Sequence, residues 1–503
     1  MTQSAATPGS AEGFRLVGLG FGARLAGMAI GVLAAVATLI LTVRLLDPDS
    51  YGAFAFALSV ASILAGLGRL GLEPALTRAI ATLRDEHAAL TRVARGGFSV
   101  VAVSGAVGAL VLFLVVDLGL PDLTQATRLA LAIGLGLSLY GSNAAAVGGS
   151  VARGAGRVVL MELPNLMGTL VRLAAIALLT ALDVGELTWV AVGYAAAALV
   201  STASAWGVTT AVAGRIRLFQ IDRAAAREVF VSALPFAVGG VALVIVSRFD
   251  VVVLGFTGTD TDVGVYEPTL RIVEQAMLIV PLLFIAQYLP VASRAVAAHD
   301  TSQFRELYLS LSKLVYVLAF PGVLLFAAFP QTVLQTLYGA GFPVDRTVVW
   351  LLLGGFVVNL AFGLNASALA STGNRRALAT TGAVAIVSMV VLSLALIPAF
   401  GPAGAAAATA GTYVILNAAV AVELARLTRV VPVRTDYLVT LFSSAVPLAV
   451  ALAIDGWLDS VNLLEAICCA LVLSSVWAGL LLAVGTLRRE ELRRLVPGRG
   501  TPA

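Results

Sequence analysis

GGFSVVAVSGAVGALVLFLVVDL, residues 96–118, carries a single charge, Asp117, next to its end. Coiled as a helix with about 1.5 Å rise per residue, such a run crosses the roughly 30 Å hydrocarbon core of a bilayer. A helix is also the form in which an isolated segment satisfies all its backbone N–H and C=O groups where no water reaches them. Comparable runs lie on both sides of it, at 21–46, 51–72, 129–150, 160–182, 187–211, 230–254 and 264–289. They continue at 308–329, 348–370, 378–398, 402–424, 438–456 and 464–485. The sequence therefore predicts an all-α integral membrane protein of about 14 transmembrane helices, with no room for a soluble domain. Composition agrees: 59% of residues are hydrophobic and 12% charged, with a mean hydropathy of +0.98, whereas soluble domains are about half apolar and a quarter charged.

The formal charge of +4 could suggest a polyanion partner, but the distribution of the basic residues explains it better. With the N-terminus inside, about 24 of the 32 Lys and Arg fall on one side of the membrane. Among them are Arg78, Arg84, Arg92, Arg95, Arg153, Arg157, Arg215, Arg217, Arg223, Arg227, Arg375, Arg376, Arg426, Arg429 and Arg434, against Arg44, Arg128 and Arg346 on the other. The positive-inside rule then places both termini in the cytoplasm, and the basicity reflects topology rather than nucleic-acid binding. Residues 1–13 lack a basic n-region and the apolar run after them is too long for a signal peptide, so the first helix is expected to stay uncleaved in a multi-pass protein of the cell membrane. His87 and His299 fall in short loops, and Cys468 and Cys469 are adjacent within the last span, so neither pair frames a metal or disulfide site. There is no phosphate-binding Gly-Lys-Ser/Thr loop and no Ser, His and Asp set, which argues against ATP hydrolysis and enzymatic chemistry.

An internal repeat organises the chain. Pro74-Ala-Leu-Thr-Arg78 at the end of the second span returns 216 residues later as Pro290-Val-Ala-Ser-Arg294 at the end of the eighth. Tyr51 and Gly52 match the stretch ending in Tyr266, and Ala152–Arg157 matches Ala370–Arg375. Six helices per unit is an even number, so the two bundles share one orientation. The expected domains are a cytoplasmic segment 1–20, a first six-helix bundle 21–212, a basic linker 213–228 and a second bundle 229–427. A loop with helices 13 and 14 follows at 428–486, then a basic tail 487–503. Tyr51, Gly52, Pro74, Arg78, Tyr266, Pro290 and Arg294 are read as architectural, each proline at the end of a span stopping or kinking its helix and each arginine anchoring it at the headgroups.

Several charges interrupt the spans, each costing about 2.5 to 3.5 kcal/mol at mid-bilayer unless hydrated or paired. The first half has Arg24, Arg69 with Glu73, Glu162 and Arg172; the second has Arg248, Asp250, Glu267, Arg271 and Glu274. Arg69 and Glu73 are spaced for a local ion pair. Glu267, Arg271 and Glu274 stand at i, i+4 and i+7 on one stripe, whereas Arg248 and Asp250 diverge by about 200° and cannot share a facing partner. Arg24, Arg69, Arg172, Arg248 and Arg271 are the candidates to line a lumen and hold an anion, since guanidinium binds phosphate or carboxylate bidentately and stays charged. Glu162, Asp250, Glu267 and Glu274 are the candidates for a coupling Na⁺ or H⁺; no other cofactor and no metal site is expected.

Residues Arg44 to Ala55, RLLDPDSYGAFA, followed by Leu70-Gly-Leu-Glu-Pro-Ala-Leu-Thr-Arg78, resemble the opening of Wzx-type oligosaccharide flippases. Further echoes are Phe249–Gly255 with Val263–Tyr266, and Phe329-Pro330 with Leu337–Phe342. That family shares a superfamily with the multidrug and toxic compound extrusion exporters and the lipid II flippases. The resemblance implies two six-helix bundles that move a lipid-(pyro)phosphate-linked oligosaccharide from the inner to the outer leaflet by alternating access, through a cationic lumen. Its expected partners are a lipid-linked anionic oligosaccharide, membrane lipids and the glycan polymerase or glycosyltransferases of the pathway. A cation-coupled multidrug exporter is the alternative within the class. A membrane glycan polymerase or ligase is the alternative outside it, and would need a larger external loop.

Overall fold

The computed structural model describes residues 11–487 except 70, 84–85, 215–220, 431–434 and 458–460; side chains are described from residue 27 on, apart from 158, 235, 237–239, 243 and 286–287. The described residues form helices throughout and divide into two compact units, Met1–Val244 and Ile245–Ala503. In the first are α1 (Ala11–Leu45), α2 (Pro48–Arg69), α3 (Leu72–Thr82), α4 (His87–Gly119), α5 (Gln125–Gly154), α6 (Val158–Met161), α7 (Leu163–Ala181), α8 (Leu187–Ala213) and α9 (Arg223–Ala233). Helix α10 (Ala237–Thr257) runs across the division. The second unit continues with α11 (Asp260–Ala297), α12 (Thr301–Ala328), α13 (Pro330–Tyr338), α14 (Arg346–Phe362), α15 (Asn365–Ser371), α16 (Arg375–Thr428), α17 (Thr435–Ser443), α18 (Ala445–Trp457) and α19 (Leu463–Ala483). Twelve helices among the described residues are long and apolar enough to cross a membrane, thirteen if the bent pair α14 and α15 counts as one span. The protein is thus an all-α multi-pass membrane protein.

Helix α16 holds two spans. Gly401 (φ 55°, ψ −132°) takes a left-handed, non-helical conformation that side-chain-bearing residues rarely reach. Beyond it the chain returns along itself: Gly404 backs onto the Leu396 carbonyl, Gly411 onto Leu392, and Thr412 Oγ1 lies 4.0 Å from Met389 Sδ. These pairings are antiparallel, and the expected spans 378–398 and 402–424 are the two arms of this hairpin.

Neither Pro74 nor Pro290 ends its span, where the sequence placed them. The second span breaks at Gly71 (φ 75°), three residues before Pro74, and Pro74 lies in the first turn of α3, where a missing N–H costs nothing. Pro290 does not end the eighth span; α11 runs through Pro268, Pro281 and Pro290 to Ala297. Transmembrane helices tolerate such prolines because neighbouring groups can re-satisfy the carbonyls that they free. The repeat is therefore matched in sequence at a point where one copy is broken and the other continuous. Both copies start in the same way. Asp47 accepts hydrogen bonds from the Ser50 N–H (2.9 Å) and hydroxyl (2.8 Å) ahead of α2. Thr259 and Asp262 form a reciprocal capping box at the start of α11. Partial burial pushes the Asp47 carboxyl up, but the bonds from Ser50 outweigh it and hold the group below the usual range.

The linker expected at 213–228 contains the start of α9, capped by Asp222 Oδ1 accepting from Ala225 N at 3.0 Å. Its buried face is Ala225, Val229 and Ala233, of which Val229 and Ala233 belong to the core of the first unit beside Leu76, Phe98 and Val147.

Candidate functional site

In the second unit the stripe read from α11 becomes a charge network. Arg271 uses all three guanidinium nitrogens: Nε donates to Glu267 Oε1 (2.9 Å), Nη1 to Glu274 Oε2 (2.7 Å) and Nη2 to the Ser247 carbonyl (2.7 Å). Arg248 reaches across from α10 to the same Glu267 Oε1 at 3.1 Å. Two guanidinium groups thus share one carboxylate whose side chain is 4% exposed, while Arg248 retains 23% exposure. Two arginines and two glutamates balance, which makes the cluster tolerable in an apolar span.

Asp250 points elsewhere, as its angular offset from Arg248 requires. It accepts from Tyr266 Oη (2.6 Å), Thr409 Oγ1 (2.8 Å) and the backbone N–H of Val251 (2.9 Å), tying α10, α11 and α16 together. Tyr266, read from the repeat as architectural, is fully buried against this carboxylate. Sequence reasoning had no means of finding Thr409, which lies 159 residues from Asp250.

In the first unit Arg172 is placed over an aromatic ring. Its guanidinium carbon lies 5.1 Å from the centre of the Tyr194 ring and its Nη2 donates to Thr169 Oγ1 at 3.4 Å. It forms no ion pair with a carboxylate among the described residues. With Ser138, Ser142, Asn165, Thr169 and Ser201 it lines a cavity of about 70 Å³, wide enough for water but not for a sugar. Stacking on an aromatic face leaves the planar edge of a guanidinium free to take an anion.

The other sequence candidates divide. Arg69 pairs with Glu73 at 3.7 Å, and Glu73 also meets Arg153 at 3.9 Å. Glu162 is half-buried at the start of α7 and forms no ion pair among the described residues. The Arg24 side chain lies outside the described residues, as do Arg84, Arg215, Arg217, Arg434 and the tail beyond 487. Tyr51 and Gly52 are buried in α2, whereas Pro74, Arg78, Pro290 and Arg294 are exposed. No group of three metal-ligating side chains occurs among the described residues.

One in-span charge was missed. Lys313 of α12, 2% exposed, donates to Asp436 Oδ2 of α17 at 3.1 Å and to the Thr486 carbonyl at 2.8 Å. A signal existed: it is the single lysine of the chain, and it lies inside the span expected at 308–329.

Solved structures similar to the chain include a lipid II flippase, MurJ, in an inward closed conformation, at TM-score 0.64 and 14% identity over 90% of this chain and 99% of that one. An inward-facing multidrug resistance MATE family transporter of the MOP superfamily matches at TM-score 0.59 and 15% identity, over 85% and 98% of the two chains. An outward-facing structure of that kind matches at 0.51 and 16% identity, over 85% and 94%. At these identities the likeness establishes the fold. No curated protein matches in sequence. A family model described as polysaccharide biosynthesis protein matches residues 20–296. That match covers more than half of the sequence, and the chain belongs to the polysaccharide biosynthesis protein family.

Proposed function

We propose that the chain moves a lipid-(pyro)phosphate-linked, negatively charged oligosaccharide from the inner to the outer leaflet by alternating access, and that it is a transporter rather than an enzyme. The family, together with a fold like those of a lipid II flippase and MATE transporters, supports this reading. The observation that carries the anionic substrate is Arg172, an in-span guanidinium stacked on Tyr194 with no carboxylate partner among the described residues. An uncompensated cation in an apolar helix is costly, and a substrate phosphate would supply the missing charge.

Arg248, the more exposed member of its network, is the second phosphate-holding group. Arg271, engaged on every nitrogen, positions Glu267 and Glu274 rather than meeting the substrate. Arg24 and Arg69 contribute positive potential along the path. Glu162, Asp250, Glu267 and Glu274 are the carboxylates available to a coupling Na⁺ or H⁺. The glycan and its polyprenyl carrier are supplied and consumed by glycosyltransferases and a polymerase of the same assembly route.

The test is export in a strain dependent on this chain. Arg172→Ala should lower surface glycan at least tenfold, about 1.4 kcal/mol on the limiting step, at unchanged membrane abundance. Arg172→Lys should restore only part of it, since it keeps the charge and loses the fork. Normal export by Arg172→Ala at normal abundance would overturn the anion-holding role.

A further inference from the structure

We propose that a groove in the first unit, bounded by α2, α4 and α9, binds one anionic phospholipid. Its phosphate is held by Arg227 and one acyl chain lies along α4. This site is separate from the transport reading and does not depend on it.

The groove measures about 590 Å³, within the range of ligand sites. Leu67 of α2, Val103, Val107 and Val111 of α4 and Phe230 of α9 make its walls, and Arg227 stands at its mouth. Val103 and Val107 are 51% and 59% exposed. From Val100 to Val111 the wall runs about 16 Å at 1.5 Å per residue, close to half the roughly 30 Å hydrocarbon core. That length suits a chain confined to one leaflet, not the far longer polyprenyl chain of a glycan carrier.

Helix α9 provides the headgroup end. It buries Ala225, Val229 and Ala233 and exposes Phe230 and Val231 beside Arg223 and Arg227, with exposed Ile221 and Leu234 flanking it, the composition of a helix lying in the membrane interface. It is fixed in place by Arg92–Glu228 (3.3 Å), Arg95–Asp222 (3.9 Å) and the Asp222 N–H donating to Ser99 Oγ (3.1 Å). These contacts consume the local acids. Arg223 and Arg227, one turn apart and exposed, form no ion pair among the described residues. Two adjacent guanidinium groups favour a phosphate and repel the cation of a zwitterionic head, so the occupant is anionic.

Two serines, Ser99 and Ser104, interrupt an otherwise apolar lining where the glycerol esters would lie. Ser104 follows Ser99 by little more than a turn, and a side chain at Gly68 would stand 3.0 Å from Ser104 Oγ and 2.9 Å from Asn143 Nδ2. Asn143 is wholly buried, and neither of its amide atoms has a hydrogen-bond partner among the described residues. An orphaned amide in an apolar bundle is unfavourable, so a water behind Gly68 and Ser104 is favoured at that point.

Native mass spectrometry of the detergent-purified full chain, titrated with phosphatidylglycerol, phosphatidylcholine or undecaprenyl phosphate, tests the assignment. One phosphatidylglycerol per chain should bind about tenfold more tightly than phosphatidylcholine. Arg227→Gln should bring it to the phosphatidylcholine level, and Val107→Trp should abolish it with the melting temperature unchanged. Equal binding of the two phospholipids, or an unaltered preference in Arg227→Gln, would overturn the proposal. So would undecaprenyl phosphate displacing phosphatidylglycerol and itself failing to bind Val107→Trp, since the groove would then belong to the carrier lipid. Each result stands whether or not Arg172 proves essential for export.

Discussion

Lys313 and Asp436 show what one residue pair does in this fold. The other 31 basic residues are arginines, which suit headgroups and bidentate anions, whereas the compact ammonium of Lys313 fits between a carboxylate and the Thr486 carbonyl. It joins α12 to the C-terminal helices, and replacing the lysine takes from Asp436 the ammonium that faces it at 3.1 Å. Lys313→Met should therefore cost about 3 kcal/mol or more, read as a lower thermal midpoint in detergent. The double variant Lys313→Met with Asp436→Leu should recover most of that loss; equal destabilisation by both would show that packing around the lysine, not charge, holds the helices. The lysine was visible in the sequence as an in-span charge, but its partner lies 123 residues away and only the folded chain brings them together. The same contrast marks the larger network. The i, i+4, i+7 stripe of Glu267, Arg271 and Glu274 follows from helix geometry alone, while the sharing of Glu267 with Arg248 depends on how α10 lies against α11.

Among the elements, α5 and α8 set the packing of the first unit. Gly134, Gly141 and Gly148, seven residues apart on α5, face Ala191, Ala198 and Ala205, also seven apart on α8, and the two helices run parallel. A Cβ at Gly141 would stand 2.8 to 2.9 Å from Ala198, so these backbones approach as closely as small residues permit. In lipid, where no hydrophobic force separates protein from solvent, such contact is what holds helices together. Gly141→Leu should force them apart and lower the yield of folded protein several-fold, with Gly207→Leu as the control, since an added Cβ there meets nothing within 4 Å. Equal yields would refute the contact as a determinant. The break between α14 and α15 uses side chains instead. Tyr308 donates to the Phe362 carbonyl at 3.1 Å, Tyr437 donates to the Ala361 carbonyl, and Ser312 Oγ accepts from the Leu364 N–H at 3.3 Å. The glycine and alanine spacing could have been read from the sequence. The break could not, because its freed backbone groups are satisfied by tyrosines and a serine from distant helices.

For the molecule as a whole, the charge asymmetry makes orientation testable. In a background with Cys468→Ser and Cys469→Ser, single cysteines at Asp49 and Asp122 should react with an impermeant maleimide in intact cells, and those at Arg157, Arg223 and Arg376 should react only after permeabilisation. Labelling of the second group in intact cells would invert the topology. All these positions are exposed, so failure to label would not reflect burial. The sequence by itself determined the class of the molecule. Apolar runs of bilayer length leave the backbone no alternative to helices. It also marked the charges of the α10 and α11 spans and Arg172, although Lys313 was passed over, because a charge in an apolar span is costly. Only the tertiary structure decided how those charges are compensated: Arg271 enclosed by two glutamates, Asp250 held by Tyr266 and Thr409, Arg172 on the face of Tyr194. The reason is physical. Helix formation depends on neighbours within four residues, whereas the partner of a buried charge is chosen by helices that meet across tens or hundreds of residues of intervening chain.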